Sequence, residues 1–326
     1  MRASFDRTIN YLRLSITDRC NLRCRYCMPA AGVPSLDHNE ILSYEELLAV
    51  AAAAVDLGVG KIRVTGGEPL VRKGVVEFIR QLAALPGSPE VVLTTNGLLL
   101  AEMASDLAAA GLARVNVSLD TLRTERFARI SRREGLDRVL AGLEAAERAG
   151  LAPLKINMIP LAGINDDEIV DFARLTLQRS LDVRFIEFMP FDENLEDFAG
   201  LRLLMAAIME ELSRLGILLP VTTEGPVGPA RLFQYPGAAG KIGIIPAMSG
   251  HICGKCNRLR VTADGRIKPC LLGDEEIDLR RVLRSGGGSE DIKVVLQQAA
   301  DAKPERHRLD ENRPCLNLRP MPRIGG

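Results

Sequence analysis

Three of the seven cysteines fall within eight positions, in the stretch DRCNLRCRYCM, as Cys20, Cys24 and Cys27. Three more, Cys253, Cys256 and Cys270, lie in HICGKCNRLRVTADGRIKPC, and Cys315 stands apart. A chain of 326 residues with 47% hydrophobic residues can bury a large core and needs no covalent staples. Its N-terminus, MRASFDRTIN, has no apolar signal core, and its longest apolar run, LLAVAAAAV at 47–55, is far short of the roughly 18 residues of a membrane span. A cytoplasmic, reducing setting is therefore expected, in which clustered thiols are metal ligands and not disulfides. Structural zinc takes four ligands, typically as two Cys-x(2–4)-Cys pairs. The first group has an odd third cysteine and only His38 near it, whereas the second makes a zinc ribbon only if Cys315 completes it. An iron–sulfur cluster on three thiolates, with one iron left open for a ligand, suits both groups better.

These thiols must be held by a scaffold, and the scaffold reads as strand and helix in alternation. Strand patterns occur at 11–17, 61–65, 91–95, 114–120, 154–159 and 183–189, with helical patterns such as 43–58, 101–111 and 137–150 between them. Such alternation implies βαβ units around a parallel sheet. Parallel strands covered on both faces are usually apolar throughout. Here Leu12 and Leu14 alternate with Arg13 and Ser15, Ile62 and Val64 with Lys61 and Arg63, Val115 and Val117 with Asn116 and Ser118, and Ile156 with Lys155 and Asn157. With the apolar set against outer helices, the polar set faces inward, and an open, basic lumen replaces the packed interior of an ordinary barrel. The expected fold is α/β: a partial (β/α)6 barrel over 1–220, followed by a smaller C-terminal α+β domain over 221–326 that carries the second cysteine group. The ADG turn between VT and RIKP reads as a hairpin within that second part.

Lys plus Arg and Asp plus Glu each number 42, so there is no global attraction to nucleic acid or to an anionic membrane, and any anion site is local. Arg13, Lys61, Arg63, Lys155 and Arg184 lie on barrel strands, and Arg258 and Arg260 share one face of a strand within the second cysteine group. A convergent set of guanidinium and ammonium groups suits a polyphosphate. No Walker A pattern is present, so side chains must hold such a ligand. TGGEP, at 65–69, ends the second strand.

Cys20-x3-Cys24-x2-Cys27 in the first βα loop, with Tyr26 before the last cysteine and TGGEP after the second strand, resembles the radical S-adenosylmethionine (SAM) superfamily. Within it the chain is similar to the GTP 3′,8-cyclase family through RLSITDRCNLRCRYCMP, KIRVTGGEPLVR, LTTNGLLL, RVNVSLDTL, GINDDE, RFIEFMP, CGKCNRLR and the terminal Gly325-Gly326. Leu161-Ala162 departs from the pattern, since relatives commonly carry a basic residue before the glycine. The resemblance implies a first [4Fe-4S] cluster on Cys20, Cys24 and Cys27 that cleaves SAM, and a second on Cys253, Cys256 and Cys270 whose open iron meets guanine. It implies SAM contacts from Tyr26, Gly67, Glu68, Ser118 and Met189. GTP contacts are implied for Arg13, Arg63, Thr94, Lys155 and the segment Arg258-Leu259-Arg260, with Lys61 and Arg184 added from the basic set. Gly325 and Gly326 are implied to enter the active site. The implied reaction removes the ribose 3′ hydrogen, joins C3′ to guanine C8 and yields 3′,8-cyclo-7,8-dihydro-GTP, the first step of molybdenum cofactor biosynthesis. The implied partners are an electron donor such as a flavodoxin or ferredoxin and a downstream cyclic pyranopterin monophosphate synthase, with a homodimer as a candidate assembly. A two-cluster radical SAM enzyme acting on a peptide, and a non-catalytic zinc protein, are the competing readings.

Overall fold

The computed structural model describes residues 1–189, 200–222, 228–250, 252–307 and 319–325. A short hairpin, β1 (Arg2–Ala3) with β2 (Arg7–Thr8), precedes the main sheet. Six strands then run parallel in chain order: β3 (Tyr11–Ser15), β4 (Lys61–Thr65), β5 (Glu90–Thr95), β6 (Arg114–Ser118), β7 (Leu154–Met158) and β8 (Leu181–Ile186). Between them lie α1 (Tyr44–Asp56), α2 (Val75–Ala83), α3 (Leu100–Ala109), α4 (Thr124–Ser131), α5 (Leu136–Arg148) and α6 (Ile169–Gln178). The first helix starts where Ser43 and Glu46 cap each other's backbone N–H groups, which satisfies two otherwise unpaired donors.

The residues beyond 220 do not form a separate layer. After α7 (Met205–Ser213) come β9 (Leu219–Pro220), β10 (Arg231–Gln234), β11 (Ile242–Ile245), β12 (Arg258–Val261), β13 (Arg266–Lys268) and β14 (Ile277–Asp278). β11 adds parallel to β8 at one edge, and β12 adds parallel to β3 at the other. The result is one 12-stranded sheet in the order β14-β13-β12-β3-β4-β5-β6-β7-β8-β11-β10-β9. The expected hairpin is present as β12 and β13, turning at Gly265, whose φ of 77° lies in the left-handed region that glycine tolerates. Helices α8 (Leu279–Arg284) and α9 (Ser289–Asp301) follow, α9 packing on α1, and a last turn, α10 (Met321–Ile324), ends the chain. No described helix is long and apolar enough to cross a membrane.

Strand alternation decides which side is dry. Leu12, Leu14, Ile62, Val115, Val117 and Ile156 are fully buried in the single large apolar cluster. Their neighbours Arg13, Lys61, Arg63, Asn116 and Lys155 line a cavity on the opposite side. Replacing Leu14 by Ala is expected to cost about 2–5 kcal/mol through lost burial and an unfilled cavity. Arg13→Ala, one residue away, is expected to leave stability unchanged or raise it, because it removes a buried cation surrounded by other cations. Urea unfolding of both variants as cluster-free protein checks the contrast; equal losses would mean that the two faces are not distinct.

Candidate active site

The cavity, about 790 Å³, is lined by both cysteine groups. Strand direction puts them at opposite mouths. Cys20 follows the C-terminal end of β3, whereas Cys256 precedes β12, whose first residue pairs with Tyr11 at the N-terminal end of β3. The backbone N–H groups of Asn10 and Tyr11 both donate to Asn257 O (3.3 and 3.2 Å), which fixes that end. Cys270 follows β13, which runs antiparallel to β12 and so returns to the same mouth. Five strand residues at about 3.3 Å each put roughly 16 Å between the two ends.

The first cysteine loop is stapled on two sides. Arg23 N and Arg25 N donate to Ser131 O and Ile130 O, and Arg132 Nη1 donates to the carbonyls of Arg23 and Met28. On the other side Gly67 N donates to Thr17 O and Glu68 N to Arg19 O (2.7 and 2.8 Å). Only glycine permits this approach, since a Cβ at position 67 would stand 2.5 Å from Arg19 O. The Glu68 carboxylate is buried and accepts from Leu70 N, Thr95 Oγ1 and Asn96 N, so its oxygens are spent on the loops. Burial raises it to about 7. Tyr26 donates its hydroxyl to Asp120, whose other oxygen accepts from Ile159 N (2.9 Å) and whose own carboxyl burial lifts to about 6. Leu161 packs with Phe188, and Tyr26 lies against that pair, so Leu161 serves as apolar backing for the cysteine loop.

Burial pushes the Cys20, Cys24 and Cys27 thiols up; Asp120 and then Cys20 raise Cys24 further, Cys24 and Cys20 raise Cys27, and Glu68 raises Cys20. The missing element is positive charge that would draw the protons off, which is what iron supplies. Among the described residues no three His, Cys, Asp or Glu side chains are disposed to hold a single metal ion.

Cations dominate the wall between the mouths. Lys61 and Arg114 pair with Glu90, and Lys155 with Asp182 at 3.0 Å. Arg63 donates to Tyr11 Oη, Thr94 Oγ1 and Leu93 O. Among the described residues Arg13, Arg63, Arg184, Arg258 and Arg260 have no carboxylate within ion-pair distance, and the Nε atoms of Arg13 and Arg184 have no hydrogen-bond partner. Burial and then Arg260 hold Arg13 well below its usual range, and burial and then Arg258 bring Arg260 to about 10. Burial raises the Tyr11 phenol, but Arg63, Arg13 and Lys61 outweigh it and bring it to about 7.

At the second mouth the thiols meet cations. Burial raises Cys256, yet Arg258 and Lys303 prevail and lower it to about 6. Ser118 and Met189 line the cavity. The Leu259 side chain does not; it is fully buried in the core, and only its flanking arginines face inward. Gly325 is buried, and its carbonyl accepts from Arg260 Nη1 at 3.4 Å; Gly326 and Cys315 lie outside the described residues. Tyr11, Asp120, Arg114 and Lys303 are site residues without any local sequence signal, because only pairing of distant strands and the return of the chain after α9 bring them in.

A family model described as the radical SAM superfamily matches residues 14–176, and one described as Molybdenum Cofactor Synthesis C matches 181–309. The solved structure of Streptococcus suis SuiB bound to S-adenosylmethionine superposes with a TM-score of 0.58 at 14% identity, over 95% of this chain and 77% of that one, a likeness of fold. A GTP 3′,8-cyclase of Geobacter sulfurreducens is 50% identical over 327 residues, 99% of this chain and 98% of that protein. The chain belongs to the GTP 3′,8-cyclase family. A second member, from Heliobacterium modesticaldum, is 49% identical over 330 residues and 99% of each chain. As a member of this radical SAM family, the chain works with SAM and two [4Fe-4S] clusters.

Gly325 has a φ of 83°, and a Cβ there would stand 2.5 Å from Ser15 Cβ. Gly325→Ala is therefore expected to lift the terminal turn from Arg260 and cut cyclisation about ten- to a hundredfold, the worth of one charge-assisted hydrogen bond. The melting temperature should stay within a degree or two, because α10 is a single turn. Differential scanning fluorimetry beside product formation separates the two effects; a fall in melting temperature that matches the loss of activity would make the tail structural.

Proposed function

We propose that the chain converts GTP to 3′,8-cyclo-7,8-dihydro-GTP, the opening step of molybdenum cofactor biosynthesis. The observation that carries this reading is the set of five guanidinium groups, Arg63 and Arg260 buried and Arg13, Arg184 and Arg258 half-buried, that among the described residues have no carboxylate partner and line one cavity with three thiols at each end. Uncompensated buried cations are costly and call for an anion of several charges. A triphosphate fits: Arg13, Arg63, Arg184, Arg258 and Arg260 can each donate to it, and Lys155 stands beside them. Thr94 and Tyr11 keep Arg63 aimed inward. Cys20, Cys24 and Cys27 would hold the first cluster, which with SAM bound would supply the hydrogen-abstracting chemistry. Tyr26, Gly67, Glu68, Ser118 and Met189 line the cavity and are assigned to SAM, and the Glu68 carboxylate also fixes the loops beside it. Arg258 and Arg260 lead from the wall to Cys253, Cys256 and Cys270, which hold the second cluster where guanine is bound. The strand walls separate the two thiol groups, and Gly325 is held beside Arg260. In the same reading the protein acts in the cytoplasm, as a candidate homodimer. It takes single electrons from a carrier of flavodoxin or ferredoxin type, and its product passes to a cyclic pyranopterin monophosphate synthase.

Arg63→Ala, Lys155→Ala and Arg258→Ala are each expected to weaken GTP binding about ten- to a hundredfold while leaving iron content and SAM affinity nearly unchanged. Isothermal titration with GTP and ATP tests this; equal affinity across the four proteins, or no preference for GTP, would overturn the assignment. A pH dependence follows from Lys155, which burial lowers to about 8 despite Asp182. Its ammonium loses its proton above that value, whereas bound triphosphate favours the charged form, so GTP affinity falls as pH rises through 8. The limiting slope is about tenfold per pH unit. Lys155→Arg should remove the dependence between pH 7 and 9, and an unchanged slope in that variant would exclude Lys155 as its source.

A further inference from the structure

Beyond α9 the chain returns beneath the barrel, and Lys303 there is only 4% exposed. Its ammonium donates to Arg258 O at 2.9 Å and to Pro269 O at 2.6 Å. Those residues lie two after Cys256 and one before Cys270. The ammonium also faces the Cys256 and Cys270 thiols. Among the described residues no carboxylate pairs with it. Arg7, 6% exposed, holds the backbone that carries it by donating to the carbonyls of Lys303 and Pro304, both at 2.8 Å, and to Cys253 O at 3.3 Å. Cys253 is thus tied to the Arg7–Lys303 unit through Arg7, and Cys256 and Cys270 through Lys303. The first cysteine group is surrounded differently: the Asp120 carboxylate acts on Cys24 and Cys27, and Glu68 and Arg23 flank Cys20, Arg23 Nη1 donating to Cys20 O at 2.6 Å.

We propose that Lys303 is a positioning residue that raises the reduction potential of the second iron–sulfur cluster and keeps its thiolate ligands in place. The inference rests on the reading that Cys253, Cys256 and Cys270 bind such a cluster. Taking up one electron makes the cluster one unit more negative, so a fixed cation at its sulfurs stabilises the reduced form more than the oxidised one. Cluster potentials respond to net charge, burial and hydrogen bonds to sulfur, and Lys303 supplies charge in a buried setting. Its two carbonyl bonds prevent the ammonium from swinging away, so little reorganisation accompanies the electron.

The test uses the reconstituted two-cluster protein, titrated anaerobically with dithionite and followed by electron paramagnetic resonance with and without SAM. The SAM-insensitive step belongs to the second cluster; wild-type protein that lacks such a step, or holds only one cluster's iron, refutes the cluster reading itself. Lys303→Met, which keeps the stem and removes the charge, should move that step to more negative potential and leave the SAM-sensitive step in place. Lys303→Arg should stay near wild type. If the methionine variant fails to retain the second cluster, iron and sulfide content become the readout, and retention in the arginine variant alone supports the role of the charge. Equal potentials in Lys303→Met and wild type, or loss of the second cluster in both variants, overturns the proposal.

Discussion

Placing cations along an inner wall with no carboxylate to pair them is the arrangement on which the rest of this molecule depends. Arg13 and Arg260 are register partners on paired strands; burial and then Arg260 lower Arg13, and burial and then Arg258 lower Arg260. Such a set is unfavourable in the free protein and persists only because the surrounding fold is strong enough to impose it. The apolar faces of the same strands supply that strength, packed without exposure against the helices. Pairing is rationed along the wall: Glu90 takes Lys61 and Arg114, Asp182 takes Lys155, and the remaining guanidinium groups are left for a ligand.

Buried carboxylates do the opposite work at the other end. Glu68, Asp120, Glu168 and Glu187 all lie beyond the C-terminal ends of strands, and each accepts backbone N–H groups of the neighbouring loops. Glu187 alone joins Met205, Met248 and Ser249, so the loop after β8 is tied to the segment that leads towards Cys253. A buried acid satisfied by main-chain donors fixes a loop more firmly than surface pairs do. The acids therefore hold the shape of the site, and the arginines hold its charge.

The two mouths consequently differ in electrostatic character. Neutral buried thiols beside carboxylates stand at one, and thiols beside Arg258 and Lys303 stand at the other. A ligand lying between them meets guanidinium groups along its length and a metal-binding end on either side, which is why one cavity can bring two cofactor-dependent events to one substrate.

Much of this was legible in residue order. The spacing of Cys20, Cys24 and Cys27, the alternation of Leu12 with Arg13 and of Ile62 with Arg63, and the hairpin before Cys270 are local patterns whose physical reading needs no partner. They were enough for the barrel, the inward basic face and both thiol groups. The sheet's continuity through β11 and β12 was not legible, because edge pairing depends on where distant strands find free N–H and C=O groups. Nor was the division of labour among like residues: Arg63 and Lys61 look alike in KIRVT, yet one is left for a ligand and the other is paired with Glu90, 29 positions away. Glu68 reads as a ligand contact from its motif; it lines the cavity, and its carboxylate also anchors the loops, which the motif does not show. Lys303 and Tyr11 carry no motif at all; they matter because β12 lies against β3 and the chain returns beneath the barrel after α9, contacts between residues separated by tens to hundreds of positions.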